Sequence, residues 1–415
     1  MIIKTITLDN FRSKDRIQLE LGARLTILIG ENGAGKTSVL DGLSIGLGAI
    51  LTYLPGVSGI SFRKTDIKQD ENHKAPYTRV RVETEDGLIW DRTERRDKSK
   101  STTAQIPPSV GLQNLRKYLD KHILDPLNDS KSFELPMFSY YGVSRALLDV
   151  PLRRRGFPKV HARFEAMEGA LVADSRFKSA FVWFYNKENE EQRKQRELRD
   201  FEFQLPELEA VRKAIVSVFP GISDPHIILN PLKFVVKKDR ETLDIMQLSD
   251  GYKTLLSLVI DLAIRMALAN PEIKNPLESE AVVLIDEIDL HLHPEWQRRV
   301  VGDLLRTFPK TQFLLTTHSP FIIEAVNNHL QRHHILDIPT KDKEIITIEP
   351  ISPKDVKAYF IGEKNETSLL DKEIQLLDDK LIHPFNSIAK VYDRMRDLQR
   401  IVVERGTSNE QKNAP

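Results

Sequence analysis

Residues Gly30-Glu31-Asn32-Gly33-Ala34-Gly35-Lys36-Thr37 constrain this chain more than any other stretch, because they spell G-x-x-x-x-G-K-[ST]. Gly30, Gly33 and Gly35, with the small Ala34 among them, let backbone N–H groups turn inward and cradle phosphate oxygens. Lys36 brings positive charge to the β- and γ-phosphates of ATP, and the Thr37 hydroxyl suits Mg²⁺. Asn32 and Ser38 belong to the same binding set. The run Leu25-Thr26-Ile27-Leu28-Ile29 reads as a buried strand leading in, and Leu40, Leu43, Leu47 and Leu51 follow at helical spacing. The loop therefore lies between a strand and a helix N-terminus, where the helix dipole favours bound phosphate. Strand, glycine loop and helix in that order demand an α/β core.

The chain has 415 residues, enough for one large or two ordinary domains. Its 61 Lys and Arg nearly balance 60 Asp and Glu, so net charge points to no nucleic-acid partner. With no cysteine, disulfides, thiolate metal sites and a cysteine nucleophile are excluded, and a reducing compartment fits. The start Met1-Ile2-Ile3-Lys4 is too polar for a secretory leader, and no apolar run is long enough to span a bilayer. A cytoplasmic protein away from membranes is expected.

Ile2 to Leu8 reads as a strand, and alternation at Ile17, Leu19 and Leu21 marks another. Tyr77 to Glu94 reads as a hairpin turning at Glu85-Asp86-Gly87. Arg95 to Pro108 is polar and reads as a loop, Leu115 to Leu124 and Phe177 to Glu202 as helices. Leu232 to Ile245 suggests a second hairpin, and Thr254 to Ala269 is apolar nearly all round, the mark of a buried helix. Glu280 to Ile285 and Gln312 to Thr317 are continuous apolar strands of a sheet covered on both faces.

Chemistry concentrates at the strand ends. Ala281 to Ile285 delivers Asp286 and Glu287, the Walker B arrangement. Asp286 can hold the Mg²⁺ hydration shell, and Glu287 can polarise the attacking water as general base. Leu248-Ser249-Asp250-Gly251-Tyr252 precedes the buried helix, where the Ser249 hydroxyl and the Gly251 backbone make an anion-binding end. His318 ends the strand Phe313 to Thr317, where an imidazole can bond a γ-phosphate. Asp289-Leu290-His291-Leu292-His293-Pro294 follows Walker B. Its two histidines lack a nearby third ligand, which makes a metal site a poor reading, and Pro294 reads as a helix start.

Taken in order, Lys36, Ser249, Asp286-Glu287 and His318 resemble the ABC-type ATPase superfamily, and Thr317-His318-Ser319-Pro320 resembles its RecF, OLD and SMC branch. The resemblance implies a P-loop mixed sheet with an antiparallel β subdomain, a helical subdomain and a helical C-terminal extension. It divides the chain into a first core part (1–54), an inserted β-hairpin and helical region (55–225), a second core part (226–340) and a helical extension with a tail (341–415). It implies that Ser249 reaches the γ-phosphate held by a second protomer, and that Arg12 and Ser13 approach the nucleotide. The glutamine loop of the superfamily has no counterpart at an obvious strand end, and Tyr140-Tyr141-Gly142 occupies about that region.

More narrowly, Tyr140 to Arg145 and Asp371 to Asp378 resemble the ATPase component of Septu-type, retron-associated antiphage systems, which implies a separate HNH-type nuclease as partner. The alternative is a RecF-like repair ATPase that binds DNA itself, gripping phosphates with Arg92, Arg95, Arg96, Lys98 and Lys100 or with Arg153 to Arg155. Acidic residues interleave the first cluster, which favours a solvated loop there. A transporter subunit and a scaffold that only holds ATP are the remaining readings. Leu369, Leu370, Ile374 and Leu377 form an apolar stripe that can serve a partner or the chain's own core.

Overall fold

In a computed structural model the described residues are 1–143 except 72, 163–173, 177–377 except 239, 363–365 and 372, and residue 395. Arg145 and Arg153 to Arg155 lie outside them, as does nearly all of the chain after residue 377. The first strands, β1 (Ile3–Phe11) and β2 (Lys14–Glu20), form an antiparallel pair. In β2, Ile17 and Leu19 point into the core while their neighbours face water, as a period of two requires. The five residues of β3 (Leu25–Ile29) are all buried, and the chain passes from it through the glycine loop into α1 (Lys36–Leu51).

The leucines of α1 predict one apolar stripe, but the helix is covered almost all round. It lies between two sheets. Gly42 and Gly46 let the antiparallel sheet close on it, because a Cβ there would stand 2.5 Å from Leu8 Cδ2 and 2.6 Å from Val82 Cγ2 respectively. That sheet is completed by β4 (Tyr77–Thr84) and β5 (Ile89–Arg95), the expected hairpin, in the order β2-β1-β4-β5. The polar stretch after it holds a short helix, α2 (Lys100–Ala104), capped by the Ser99 side chain. The helices α3 (Gln113–Leu119) and α4 (Asp125–Asn128) follow, joined by a π-helical turn.

Next come β6 (Met137–Tyr141), α5 (Phe177–Leu198) and α6 (Pro206–Val218). The second hairpin proves to be three-stranded, with β7 (Ile222–Leu229) beside β8 (Leu232–Lys238) and β9 (Glu241–Asp244). The buried helix α7 (Asp250–Ala269) leads to β10 (Ala281–Ile285), α8 (Pro294–Thr307), β11 (Thr311–Thr317) and α9 (Pro320–His334). After α10 (Lys343–Thr347) the chain forms β12 (Val356–Ile361) and β13 (Glu366–Ser368). The central sheet runs β13-β12-β3-β11-β10-β6, parallel except for β13. An α/β fold with a mixed sheet, an antiparallel sheet and packed helices is thus what the chain adopts. No helix among the described residues is long and apolar enough to cross a membrane.

The described part of the segment after 340 departs from the helical extension read in the sequence, whose later part lies outside the described residues. Its strand β12 pairs with β3, the strand that carries the phosphate loop, and buries Val356, Ala358 and Ile361. Alternation over six residues was masked by the polar sequence on either side. The stripe also divides: Leu369 and Leu377 are buried, Leu377 exchanges two hydrogen bonds with the Asn327 side chain, and Ile374 is exposed. A chain ended after Thr340 therefore loses an inner strand of its central sheet. Expression of that truncation is expected to give insoluble protein or a lost cooperative melt, and a soluble, normally melting product would contradict the strand's role.

Candidate nucleotide site

Parallel order brings the C-terminal ends of β3, β11, β10 and β6 to one edge of the sheet, and the phosphate loop, Walker B and His318 all sit there. Gly35 takes φ +102° just before α1, a conformation that side chains rarely adopt. The Lys36 side chain folds back over the loop, and its Nζ donates to the Gly30 and Glu31 carbonyls at 2.9 Å each. Burial lowers the pKa of its ammonium, opposed by Asp286, Glu287 and Asp289. Asn32 and Gly33 are exposed, Ala34 is buried and Ser38 is half-buried.

Asp286 is the hub. One carboxylate oxygen accepts from Thr37 Oγ1 at 2.8 Å and the other from Thr316 Oγ1 at 2.5 Å. The Glu287 N–H donates to the same Thr316 hydroxyl at 2.7 Å, and Glu287 itself takes φ +48°. This bend ends the strand and turns Glu287 out of the sheet. A hydroxyl and a carboxylate oxygen side by side are the hard donors that Mg²⁺ selects, so Thr37 and Asp286 fit such an ion. Among the described residues no group of three or more His, Asp or Glu gathers as a cation site. His293 caps α8 instead, accepting from the Glu295 N–H.

The end of β11, with His318, is tied to the loop after Walker B. Asp289 Oδ1 accepts from Thr317 Oγ1 at 2.5 Å and from the His318 N–H at 3.4 Å. Ser319 caps α9 and donates through its hydroxyl to Gln297 Oε1 at 2.5 Å. His318 is thus held at the tip of β11, half-buried.

Arg12 takes φ +52° in the turn between β1 and β2. Its guanidinium bonds Asp41 of α1 at 2.7 Å and Asp66 at 3.0 Å. Burial works against the charge, and the two carboxylates outweigh it, so the pKa is raised. Ser13 is exposed at the same turn. Lys14 carries no motif in the sequence yet lies beside the phosphate loop. It is buried, its stem lies against Gly35, and its Nζ donates to the Gly362 carbonyl at 2.5 Å. A lysine in a strand of alternating polarity carries no signal until β12 is known to end beside the phosphate loop.

Ser249 and Gly251 open α7 away from this loop. They line a cavity of about 320 Å³ with Phe219, Tyr252, His291 and Trp296. The Ser249 hydroxyl is exposed and caps no amide of α7. Gly251 touches the loop after Walker B so closely that a Cβ would lie 2.3 Å from the His291 carbonyl oxygen. Of the basic cluster, Arg92 is committed to the Ile45 and Ile60 carbonyls and Arg96 to Lys74 O, Thr102 and Asp97. Arg95, Lys98 and Lys100 remain exposed.

The family model described as "AAA domain, putative AbiEii toxin, Type IV TA system" matches residues 25–324, from the strand before the phosphate loop to the helix after His318. The chain belongs to this family. With its Walker elements assembled at one sheet edge, it is an ATPase of that family. It is 27% identical to the "Retron Vc95 probable ATPase" of Vibrio cholerae serotype O1 biovar El Tor, over 94% of this chain and 83% of the relative. It is also 27% identical to the "Retron Ec83 probable ATPase" of Escherichia coli, over 79% and 70% respectively. To the "Septu protein PtuA" of Bacillus mycoides (strain KBAB4) it is 28% identical, over 78% of this chain and 39% of that longer protein. These relatives carry the names that the sequence resemblance suggested.

Proposed function

We propose that the chain is the ATPase subunit of an antiphage defence system, and that two protomers close around ATP to regulate a separately encoded HNH-type nuclease. Lys36 and Thr37 of one protomer would hold the phosphates, with Gly30, Asn32 to Gly35 and Ser38 forming the cradle and Thr37 and Asp286 facing Mg²⁺. The cation supplies charge neutralisation of the phosphate oxygens. Glu287 takes the proton of the attacking water, and His318 reads the γ-phosphate. Ser249 and Gly251 serve the phosphates of the other protomer.

One observation carries the two-protomer part. The cavity lined by Ser249 and Gly251 is built with residues 291–296 and Phe219, and no residue of the phosphate loop lines it. A signature serine with a free face toward solvent suits a nucleotide brought by a second copy. The defence role rests on the retron and Septu relatives. Arg92 and Arg96 are engaged within the fold, which leaves the DNA-gripping reading with fewer cations than the sequence offered.

Mixing two inactive variants tests the composite site. Ser249→Arg and Lys36→Ala are each expected to lose ATP hydrolysis. In an equal mixture half of the dimers are mixed and each has one intact site of two, so about a quarter of wild-type activity should return. No recovery, in a mixture shown to exchange subunits, rules out shared sites. Pull-down of a neighbouring HNH protein by the wild-type chain tests the partner, and no capture with or without ATP counts against it.

A further inference from the structure

The end of β6 makes contacts that the nucleotide motifs do not account for. Tyr140 and Tyr141 are consecutive in a strand, so their side chains leave by opposite faces of the sheet. Burial raises the pKa of the Tyr140 hydroxyl, and the charge of Asp41 on α1, the carboxylate that also holds Arg12, adds to the effect. Tyr141 goes the other way and donates from its hydroxyl to Asp261 Oδ2 at 2.8 Å, on α7. Arg265 Nε donates to the same oxygen at 2.7 Å. Tyr141, Asp261 and Arg265 are only 1%, 5% and 7% exposed. Arg265 then reaches the Ala166 carbonyl at 2.6 Å, and the Tyr140 and Gly142 N–H groups reach Ala170 and Ala173 at 2.7 Å each. The backbone of the same Tyr141 accepts from the Asp286 N–H at 2.8 Å.

We infer that Tyr141 is a positioning residue that ties Walker B Asp286 to the signature helix α7, so that the two ends of the shared site stay in register. The inference rests on the composite-site reading above. Asp261 lies twelve residues after Ser249, about 18 Å along one continuous helix. A rigid helix transmits a shift at Asp261 to its N-terminus. The physical reason to read the network as registry is that a buried ion pair contributes little net stability. Apolar residues of equal volume commonly replace such pairs without loss, and fixing one arrangement is the best-attested use of retaining them. Asp261 and Arg265 are the charged residues among the buried positions of α7. The tyrosine pair stands at about the region where the superfamily resemblance places its glutamine loop, and Tyr141 reaches the signature helix from there.

Two variants of the full chain test this. Tyr141→Phe removes one hydroxyl, and the double variant Asp261→Leu/Arg265→Met removes the pair without leaving a buried charge alone. In both, the ATP Kd is expected to stay within about twofold of wild type while kcat falls by about tenfold or more. ATP-driven dimerisation, measured in a Glu287→Gln background, is expected to weaken by about tenfold or more. A folded variant of either kind with wild-type kcat and dimerisation overturns the inference. Failure of both variants to fold, read from their melts, assigns the network to stability alone and overturns it too. Failure of the composite site shows itself differently: the parent Glu287→Gln chain then stays monomeric with ATP before Tyr141 is touched, and the inference falls with it.

Discussion

ATP binding by Lys36→Ala is expected to weaken by roughly a hundredfold, and hydrolysis to fall below detection. The ammonium is the charged group aimed across the phosphate loop, and a charge-assisted hydrogen bond to a phosphate contributes about 3 kcal/mol, which converts to that factor in Kd. The side chain has a second role. It bonds the Gly30 and Glu31 carbonyls, so its loss also loosens the loop. Titration calorimetry with ATP should therefore be paired with a thermal melt. A folded Lys36→Ala protein with wild-type ATP affinity would remove Lys36 from the nucleotide site. Loss of phage protection in cells carrying the whole system, at unchanged protein level, links the same residue to defence.

Glu287→Gln is expected to lower kcat by about two to four orders of magnitude, the usual contribution of a positioned general base, with little change in ATP affinity. The replacement keeps the shape of the side chain. It keeps the backbone bend and the Glu287 N–H bond to Thr316, so the loop geometry survives. The protein should hold ATP without turning it over, and a dimer closed around two nucleotides should persist long enough to appear in size-exclusion chromatography with light scattering. An unchanged steady-state ATPase rate would refute the general-base role. A slow rate without a lasting dimer would keep the chemistry and reject the composite site.

The two results depend on neighbours that no motif announces. Thr316 accepts from the Glu287 N–H and donates to Asp286, yet in sequence it is one polar residue closing an apolar strand. Asp41 in the second turn of α1 pairs with Arg12, and Lys14 lies under Gly35. These contacts join residues far apart in the chain. Local patterns such as glycine spacing, apolar runs and alternation, which place the loop, β10, β11, the hairpins and α7, carry no information about them. The exception inside the local patterns is α1, whose four leucines read as one buried stripe although a second sheet covers the other side.

By itself the sequence determined that a strand, a phosphate-cradling loop and a helix follow one another, that two acids end a second buried strand, and that a histidine ends a third. Each of those statements concerns neighbours along the chain, where backbone geometry alone relates spacing to shape. Tertiary structure alone decided that β12 returns from beyond residue 340 to pair with the strand of the phosphate loop. It also decided that Arg12 lies between two carboxylates and that Tyr141 spans from Walker B to α7. Parallel sheet order depends on hydrogen bonds between strands hundreds of residues apart, and buried polar groups find partners only once that order exists.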